Sequence, residues 1–550
     1  MDSSTARRAP SALYTMTSDQ PRLRVVVLLA TATLPGWLDE ALAGLLDADF
    51  LEVRVLRLPV APARRVGSPA WRLLSRFDHR MLGHLAPIMA RRPLRPALAD
   101  TPEHSDPGQL RDAVAGATPD VLLCVGLSPS PVDLWSLARR AAWSIPAEAC
   151  QPDAGLLHLL PAFARGDATA VSGLPVRDDR AGEDLLLDPD AVSLAQLSFA
   201  RNAAFQLQKA PAKLLRTLRR LQQGEPERVA RVRGARPPGS LATLGLAARL
   251  AARSVIRHLP RIGRRDRWVL ASRRSATGLD PTSPSGNGFA RWPTPRGWFW
   301  ADPFPLARAD REFVFFEALE YDRGIGEIHV VEVDAAGQPG PPRVAIHDPL
   351  HLSYPFPFTH GGEPHLLVER SESFRLEAFR ASDFPLGWAP VATLIEGWRA
   401  VDGTLFEHGG RWWLFACIAE TPFHDGGREF NDLFLFHSDS PLGPWTPHRQ
   451  NPVVSDVRRA RPAGPLFVRD GLLIRPSQDG GAAYGRRIVF NEVRRLDPLH
   501  YEEAELAALE PDWAPGMRGC HHYARAGTLE MLDARFLVPA AQTRSERARP

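Results

Sequence analysis

The feature of this 550-residue chain that most restricts its fold is a segment that recurs about every fifty to sixty residues in the second half. The first copy reads Asp302-Pro-Phe-Pro-Leu, turns through Ala307-Arg-Ala-Asp-Arg and continues as Phe313-Val-Phe-Phe-Glu317. The second is Tyr354-Pro-Phe-Pro-Phe, Thr359-His-Gly-Gly, His365-Leu-Leu-Val-Glu369. The third is Asp402-Gly-Thr-Leu-Phe, Glu407-His-Gly-Gly, Trp412-Trp-Leu-Phe-Ala, and the fourth is Ala463-Gly-Pro-Leu-Phe, Val468-Arg-Asp-Gly, Leu472-Leu-Ile-Arg. A weaker fifth copy, His521-His-Tyr-Ala-Arg-Ala-Gly527-Thr-Leu-Glu-Met-Leu, lies near the C-terminus. Each copy is an apolar strand, a polar or glycine-bearing turn and a second apolar strand. Hairpin repeats of this length mark a β-propeller with one blade per repeat. The expectation is an all-β, five-bladed β-propeller over residues 267–540, with the first strand of each blade lining one axis.

The chain is too long for one ordinary core, so the propeller accounts for only part of it. Its 44% apolar and 24% charged residues are those of a globular protein. The net charge of +4 is small, and the basic residues are nearly all arginine, since Lys209 and Lys213 are the only lysines. Such a bias reflects a GC-rich genome rather than a nucleic-acid surface, so no nucleic-acid partner is expected. Cys124, Cys150, Cys417 and Cys520 have no zinc-site spacing, and neither a metal nor a cofactor is expected. The apolar run Val25–Ala32 is too short and too late for a secretory signal. No run approaches the roughly 20 apolar residues that span a bilayer. The expected location is cytoplasmic, with scope for contact at a membrane surface.

The first half reads as α/β. Residues 1–20 look like a disordered tail. The β-branched run Leu23–Ala30 reads as a buried parallel strand, Leu38–Leu46 as an amphipathic helix, Leu51–Leu58 as a strand, and Asp120–Gly126 as another buried strand ending in a βα turn. This order predicts a Rossmann-like parallel sheet over residues 21–205. No G-x-G-x-x-G follows either strand, so no dinucleotide is implied. Residues 206–266 form an Arg-rich helical stretch broken at Arg236-Pro-Pro-Gly. It reads either as a linker packed between domains or as a basic amphipathic segment that lies on anionic lipid.

The repeats place Asp302, Tyr354, Asp402 and Ala463 at one position, and Glu317, Glu369, Cys417 and Gln478 at another on the second strands. Strand alternation decides which of these point to the axis. Two or three carboxylates on one pocket suit glycosyl chemistry, with a base or nucleophile, a proton donor and a group that steadies positive charge on the sugar. Trp298, Trp300 and Trp398 can stack on sugar faces; the Asp residues can equally cap turns or pin blades. Asp322 sits in the charged Glu320–Glu327 loop, which is either part of the pocket mouth or a hairpin turn. Arg461 can hold a carboxylate or phosphate bidentately. Gln478, Asp479 and Asn491 follow in the fourth blade, and His521 opens the fifth copy.

At these residues the chain resembles a known family. Trp300-Ala-Asp-Pro-Phe, Leu352-Ser-Tyr-Pro-Phe, Ala400-Val-Asp-Gly-Thr-Leu-Phe, Ala460-Arg-Pro-Ala-Gly and Gly519-Cys-His resemble, in order over about residues 268–537, the motifs of the family named after plant glucosamine inositolphosphorylceramide transferase. Its domain resembles the five-bladed propellers of furanosidase-type glycoside hydrolases. The resemblance implies that Asp302 is nucleophile or base and that Asp402 stabilises the transition state. Glu369 is the candidate for general acid. The plant enzymes carry a separate transferase domain that nothing here resembles, so the family name transfers no activity by itself. In the first half, Gly155-Leu-Leu-His-Leu-Leu-Pro-Ala-Phe-Ala-Arg-Gly-Asp167 resembles a segment of folate-dependent formyltransferases, with Leu156 where those enzymes have Asn. That implies a degenerate formyltransferase-like domain whose His158 is a remnant. Asp188-Pro-Asp190 has the D-x-D spacing with which nucleotide-sugar transferases hold a metal.

The combined expectation is a carbohydrate-active enzyme, acting by glycosyl transfer on a sugar or sugar-nucleotide in surface glycan or glycolipid synthesis. Asp302, Asp402 and Glu369 would be catalytic. Glu317, Trp300, Asp322, Tyr354, Arg461, Gln478, Asp479, Asn491 and His521 would contact substrate. Hydrolysis, sugar binding without turnover, and N-formylation of an amino sugar by the first domain remain the alternatives.

Overall fold

The computed structural model describes residues 13–15, 20–60, 67–81, 86–127, 133–146, 156–233, 236–421 and 427–544. Cys150 and most of the expected N-terminal tail lie outside these. The chain divides into two compact units, Thr17–Ile256 and Arg257–Pro550, the second joined by the segment Met1–Met16.

In the first unit the β-branched run Leu23–Leu29 pairs in parallel with Leu51–Arg57 on one side and Val121–Val125 on the other, and Ala141–Ile145 adds a fourth parallel strand. The sheet then changes direction. Thr169–Asp178, Glu183–Ser193 and Val229–Arg231 extend it antiparallel, giving seven strands in all. The expected parallel sheet is therefore a mixed one. Helices Phe199–Leu207 and Ala210–Gln222 lie within this unit, although the second had been read as part of a linker. Ala210–Gln222 buries Leu214, Leu218 and Leu221, and its spacing carries Lys213 and Arg216 inward with them. Buried cations need partners, and the D-x-D acids supply them. Asp190 meets Lys209 and Lys213 at 3.0 and 2.9 Å, and Asp188 meets Arg216 at 3.1 Å. These carboxylates are engaged by cations of the chain itself, which overturns the metal-binding reading of the motif.

The second unit is a five-bladed propeller. Blade 1 comprises Trp298–Arg308, Arg311–Glu320, Ile325–Val333 and Arg343–Ile346, and blade 2 comprises Ser353–His360, Glu363–Arg370, Arg375–Asp383 and Gly387–Glu396. Blade 3 is built on Arg399–His408, Arg411–Ala419 and Asp432–Ser438, and blade 4 on Phe467–Arg469, Leu472–Asp479, Arg487–Leu496 and Tyr501–Leu509. Blade 5 draws on both ends of the unit. Arg264–Arg274, which precedes blade 1, pairs along its whole length with Leu529–Pro539, and Tyr523–Ala526 pairs with the other side of that C-terminal strand. The ring is thus closed by an antiparallel ladder between segments more than 250 residues apart.

The inner strands of blades 1, 2 and 3 share an irregularity that the repeat did not reveal. Pairing with the second strand skips after Ala301, Ser353 and Val401. At each bulge a non-glycine residue adopts the left-handed conformation: Asp302 at φ 51°, Tyr354 at φ 49° and Asp402 at φ 56°. Blade 4 has Gly464 at φ 117°. Such angles are uncommon outside glycine and cluster at sites where geometry matters more than backbone comfort.

Tyr354 plugs the axis. It packs edge-on to Phe304 of blade 1 at 4.9 Å and to His522 of blade 5 at 5.5 Å. Its hydroxyl is bonded with Thr404 Oγ1 of blade 3 (2.8 Å) and accepts the Gly464 N–H of blade 4 (2.9 Å). It is buried and its polar atom is satisfied, so it is a structural hub and does not contact substrate. Leu13 and Tyr14 of the expected disordered tail are also buried in this hydrophobic core, and Asn451 Nδ2 donates to the Leu13 carbonyl at 3.0 Å.

A Cβ on Gly464 would lie 1.9 Å from the Tyr523 carbonyl oxygen, at a φ that L side chains avoid. Gly464→Ala is expected to destabilise the propeller by at least about 3 kcal/mol, read as a lowered denaturation midpoint in urea.

Candidate functional site

The bulges turn Asp302 and Asp402 onto the axis, and the second strands bring Glu317 and Glu369 alongside. Glu317 is paired with Ala301 and Glu369 with Ser353, immediately before the respective bulges. All four carboxylates are buried. The bulged backbone is held by acids of the neighbouring blades: Asp402 N–H donates to Glu369 Oε2 at 3.2 Å, and Asp302 N–H to Asp533 Oδ2 at 3.4 Å. The acids therefore fix the hub and also charge it.

Each carboxylate has a distinct environment. Asp402 forms a bidentate ion pair with Arg461 (Nε–Oδ2 2.6 Å, Nη2–Oδ1 3.1 Å), and Gln478 Nε2 adds a longer bond at 3.4 Å while donating to the Pro462 carbonyl. Burial, then the charge of Asp402, pushes Glu369 up to about 7, although Arg461 opposes the shift. Asp302 rises well above the usual carboxylate range through burial and through the charges of Glu317, Asp533, Asp402 and Glu369. This mutual repulsion shows that the acids share one site.

Asp302 faces His521 Nε2 at 3.8 Å and His522 Nδ1 at 3.6 Å, and its Oδ1 has no protein hydrogen-bond partner. His521 stacks on Trp268, with ring centroids 4.1 Å apart, and its Nδ1 is bonded to Asp533. Burial would raise Asp533, but His521 outweighs it and holds that carboxyl low. Burial drives His522 down to about 3, against the Asp533 charge and the Pro303 backbone, so its ring is neutral. Buried polar atoms without partners are costly. Asp302 Oδ1 and Gln478 Oε1 are therefore suited to receive polar groups of a ligand. Asp302, His521 and Asp533 also offer ligand atoms within 4.8 Å of one another, and among the described residues they alone could hold a metal ion.

Three groups at this site were not singled out from the sequence. His351 lies in the loop before blade 2. It accepts the Gly326 N–H on Nδ1 at 3.0 Å and faces Glu317 with Nε2 at 3.3 Å. Burial would lower its pKa, but Glu317 outweighs this and pulls it to about 9, whereas the Gly326 N–H requires a lone pair on Nδ1. The two demands conflict. In this geometry the backbone bond decides, and the ring carries one proton, on Nε2. Tyr484 lies edge-on to His521 at 5.3 Å and beneath the Arg461 guanidinium at 5.1 Å, yet is 43% exposed, so it forms the rim. Asp533 had a legible signal. It ends the fifth copy as Glu317 and Glu369 end theirs, one residue beyond the stretch recognised as a repeat.

Several expected substrate contacts lie elsewhere. Trp300 is buried between blades against Phe316 at 5.0 Å, on the face opposite Ala301 and its partner Glu317, because the bulge breaks the alternation that would put it with Asp302. Asp322 is exposed in the hairpin turn between the second and third strands of blade 1. Asp479, next to inward-facing Gln478, points to the opposite face and binds Arg487 at 2.7 Å and the Gly481 N–H. Asn491 is buried in blade 4, donating to the Arg475 carbonyl and Ser477 Oγ. Cys417 matches Glu369 by repeat position but is a buried thiol donating to the Asp432 carbonyl. In the first unit, Leu156 is buried at φ 58°, and burial and the Lys213 charge push His158 down to about 4.

Residues 291–527 match the family described as "Glucosamine inositolphosphorylceramide transferase 1, N-terminal", bearing out the resemblance drawn from the five motifs. Among curated proteins, glucosamine inositolphosphorylceramide transferase 1 of Oryza sativa subsp. japonica is 35% identical over 218 residues, 38% of this chain and 29% of that protein. The Arabidopsis thaliana protein of the same name is 34% identical over 211 residues, 38% of this chain and 27% of that one. The chain thus spans less than a third of these relatives. Among solved structures, a family 117 glycoside hydrolase from Zobellia galactanivorans (13% identity, 49% of this chain and 90% of that one, TM-score 0.32) and a family 43 β-xylosidase/α-arabinofuranosidase from a compost metagenome (15%, 48% and 94%, TM-score 0.32) are similar. At such identity and scores they bear on no question of chemistry.

Removing Arg461 leaves Asp402 buried without its counter-charge. Arg461→Met is expected to cost about 3–5 kcal/mol, with a substantial part regained in the double variant Arg461→Met/Asp402→Asn. Chemical denaturation of the four proteins in a double-mutant cycle measures this.

Proposed function

We propose that the axial site transfers a glycosyl group to a lipid-linked acceptor. The observation that carries this reading is the divergence of three neighbouring acids: Asp402 ion-paired to Arg461, Glu369 drawn to about 7, and Asp302 with a free oxygen facing two imidazoles. Acids whose environments differ in this way can divide acid and base roles. In the proposed reaction an acceptor hydroxyl attacks the anomeric carbon. Asp302, in its ionised form, takes the hydroxyl proton, its raised pKa making it the stronger base, and Glu369 gives a proton to the oxygen of the departing group as its bond to that carbon breaks. Asp402, oriented by Arg461, lies against the positive charge that grows on the ring. Glu317, Gln478 and His521 position hydroxyls, and Tyr484 borders the sugar at the rim. The relatives' name, a transferase acting on inositolphosphorylceramide, favours transfer over hydrolysis and a lipid over a free sugar as acceptor.

For the first unit we retain the reading of a formyltransferase-like, Rossmann-like remnant. Four parallel strands support it. Leu156 in place of the donor Asn, and a neutral His158, argue against a working formyl-transfer site.

Asp302→Asn is expected to lower turnover about 10²–10⁴-fold while binding of the sugar donor, followed by calorimetry, stays within a few-fold. Unchanged activity in that variant with loss in His158→Ala would move the chemistry to the first unit. Saturable binding without turnover of any donor would make the propeller a sugar-binding module.

Glu369 gives a second test, because its native pKa lies above that of the unfolded chain. Below pH 4.5 it is protonated in both states. Between pH 4.5 and about 7 the unfolded chain releases its proton first, so this group's contribution to stability falls as pH rises. Glu369→Gln, which mimics the protonated form, is expected to raise unfolding free energy at pH 8 by up to about 3 kcal/mol, to bring no gain at pH 4, and to abolish turnover. Thermal melts at the two pH values read the difference.

A further inference from the structure

The helix Ser240–His258 is built inside out. A surface helix normally turns its apolar stripe to the core and its polar face to water. Here the buried positions are Thr243 and Leu246, and Arg253 also turns inward, donating to the carbonyls of Phe163 and Ala164 at 2.8 Å each. The opposite side carries Leu241, Leu244, Val255 and Ile256, which are 62–87% exposed. At about 100° per residue, these four lie within an arc of about 120° that also contains Gly245, Ala248 and Ala252. Arg249 borders the arc on one side and His258 on the other.

Two further observations identify what this face meets. From Arg228 to Arg265 the chain contains ten arginines and no acidic residue. The helix Pro69–Arg80, whose N-cap Ser68 donates to the Pro238 carbonyl at 3.0 Å just before Ser240, repeats the pattern. Leu73 and Phe77 are exposed beside Arg76 and Arg80, and its one acid, Asp78, is turned inward to accept the Ala200 N–H at 2.8 Å. Exposed leucines and a phenylalanine interleaved with arginine and free of outward carboxylates are complementary to the headgroup region of an anionic bilayer. A polar protein surface would satisfy the cations but leave the apolar arc unmatched.

We infer that Ser240–His258 is an in-plane membrane-surface helix that, with Pro69–Arg80, seats the chain on lipid carrying anionic headgroups. The apolar arc sinks to the headgroup–acyl boundary, and Arg249, with Arg76 and Arg80 of the second helix, meets lipid phosphates. Among the described residues no helix is long and apolar enough to cross a membrane. This inference does not depend on the sugar-transfer reading.

Flotation of the full chain with phosphatidylcholine vesicles, with and without phosphatidylglycerol, tests it. The protein is expected to float with the anionic vesicles and to be released in part by high salt. Leu244→Ser/Val255→Ser/Ile256→Ser is expected to reduce the bound fraction at least about ten-fold with its melting temperature unchanged. Arg76→Glu/Arg249→Glu is a second arm that keeps the test decisive should the serine variant unfold. Failure to float on anionic vesicles at low salt, or full binding by a folded variant of both kinds, overturns the inference. So does a wild-type dimer that the serine variant dissolves while neither protein floats, because a second copy would then be what covers the face.

Discussion

Tyr354 is the contact on which the propeller depends. Its ring and hydroxyl together touch all four of the other blades: Phe304, Thr404, Gly464 and His522. A ring of sheets has its tightest packing at the axis, where inner strands converge and a void would cost stability directly. One aromatic side chain fills that space and also satisfies the polar groups that converge on it. The positions equivalent to Tyr354 in blades 1 and 3 need not fill the axis, and they carry Asp302 and Asp402 instead. The fold thus uses one backbone device three times, once for structure and twice for charge.

The charge is costly. Asp302 and Glu369 are held where their ionisation is opposed by burial and by each other. Two of the three matched positions bear strained, left-handed acidic residues, and the partnerless Asp302 Oδ1 and Gln478 Oε1 lie beside them. A merely structural hub would favour glycine at the bulges and apolar side chains around them. The strain and the open polar atoms facing other acids are what distinguish the site from a junction such as that around Asp479, whose carboxylate is met by Arg487 and the Gly481 N–H.

The sequence made the blades legible because hairpin alternation and turn residues are local properties. It also disclosed that Asp302 and Asp402 are equivalent, since repeats preserve position. It could not disclose the bulge, because a register slip depends on the partner strand, and without the bulge Tyr354 looked like a third ligand contact. Asp479 shows the limit of proximity, since the residue next to inward-facing Gln478 lies on the opposite face. Trp300, two residues before Asp302, would share its face in a regular strand, and only the bulge separates them. His351 and Tyr484 come from loops outside the repeat, where no periodicity announces them. In the first half, parallel strands are long apolar runs and were easily read, whereas the antiparallel extension and the inward turn of Lys209, Lys213 and Arg216 depend on long-range pairing with Asp188 and Asp190.

The ladder between Arg264–Arg274 and Leu529–Pro539 bears on how the protein is made. During synthesis the first unit can fold as soon as it emerges, since all its strands are then present. The propeller cannot. Its opening strand must wait for a partner more than 250 residues further along the chain, and that segment also brings His521, His522 and Asp533 to the axis. The mutual repulsion of the acids is therefore deferred until the four preceding blades exist to contain it, and until then a nascent chain carries an unpaired edge.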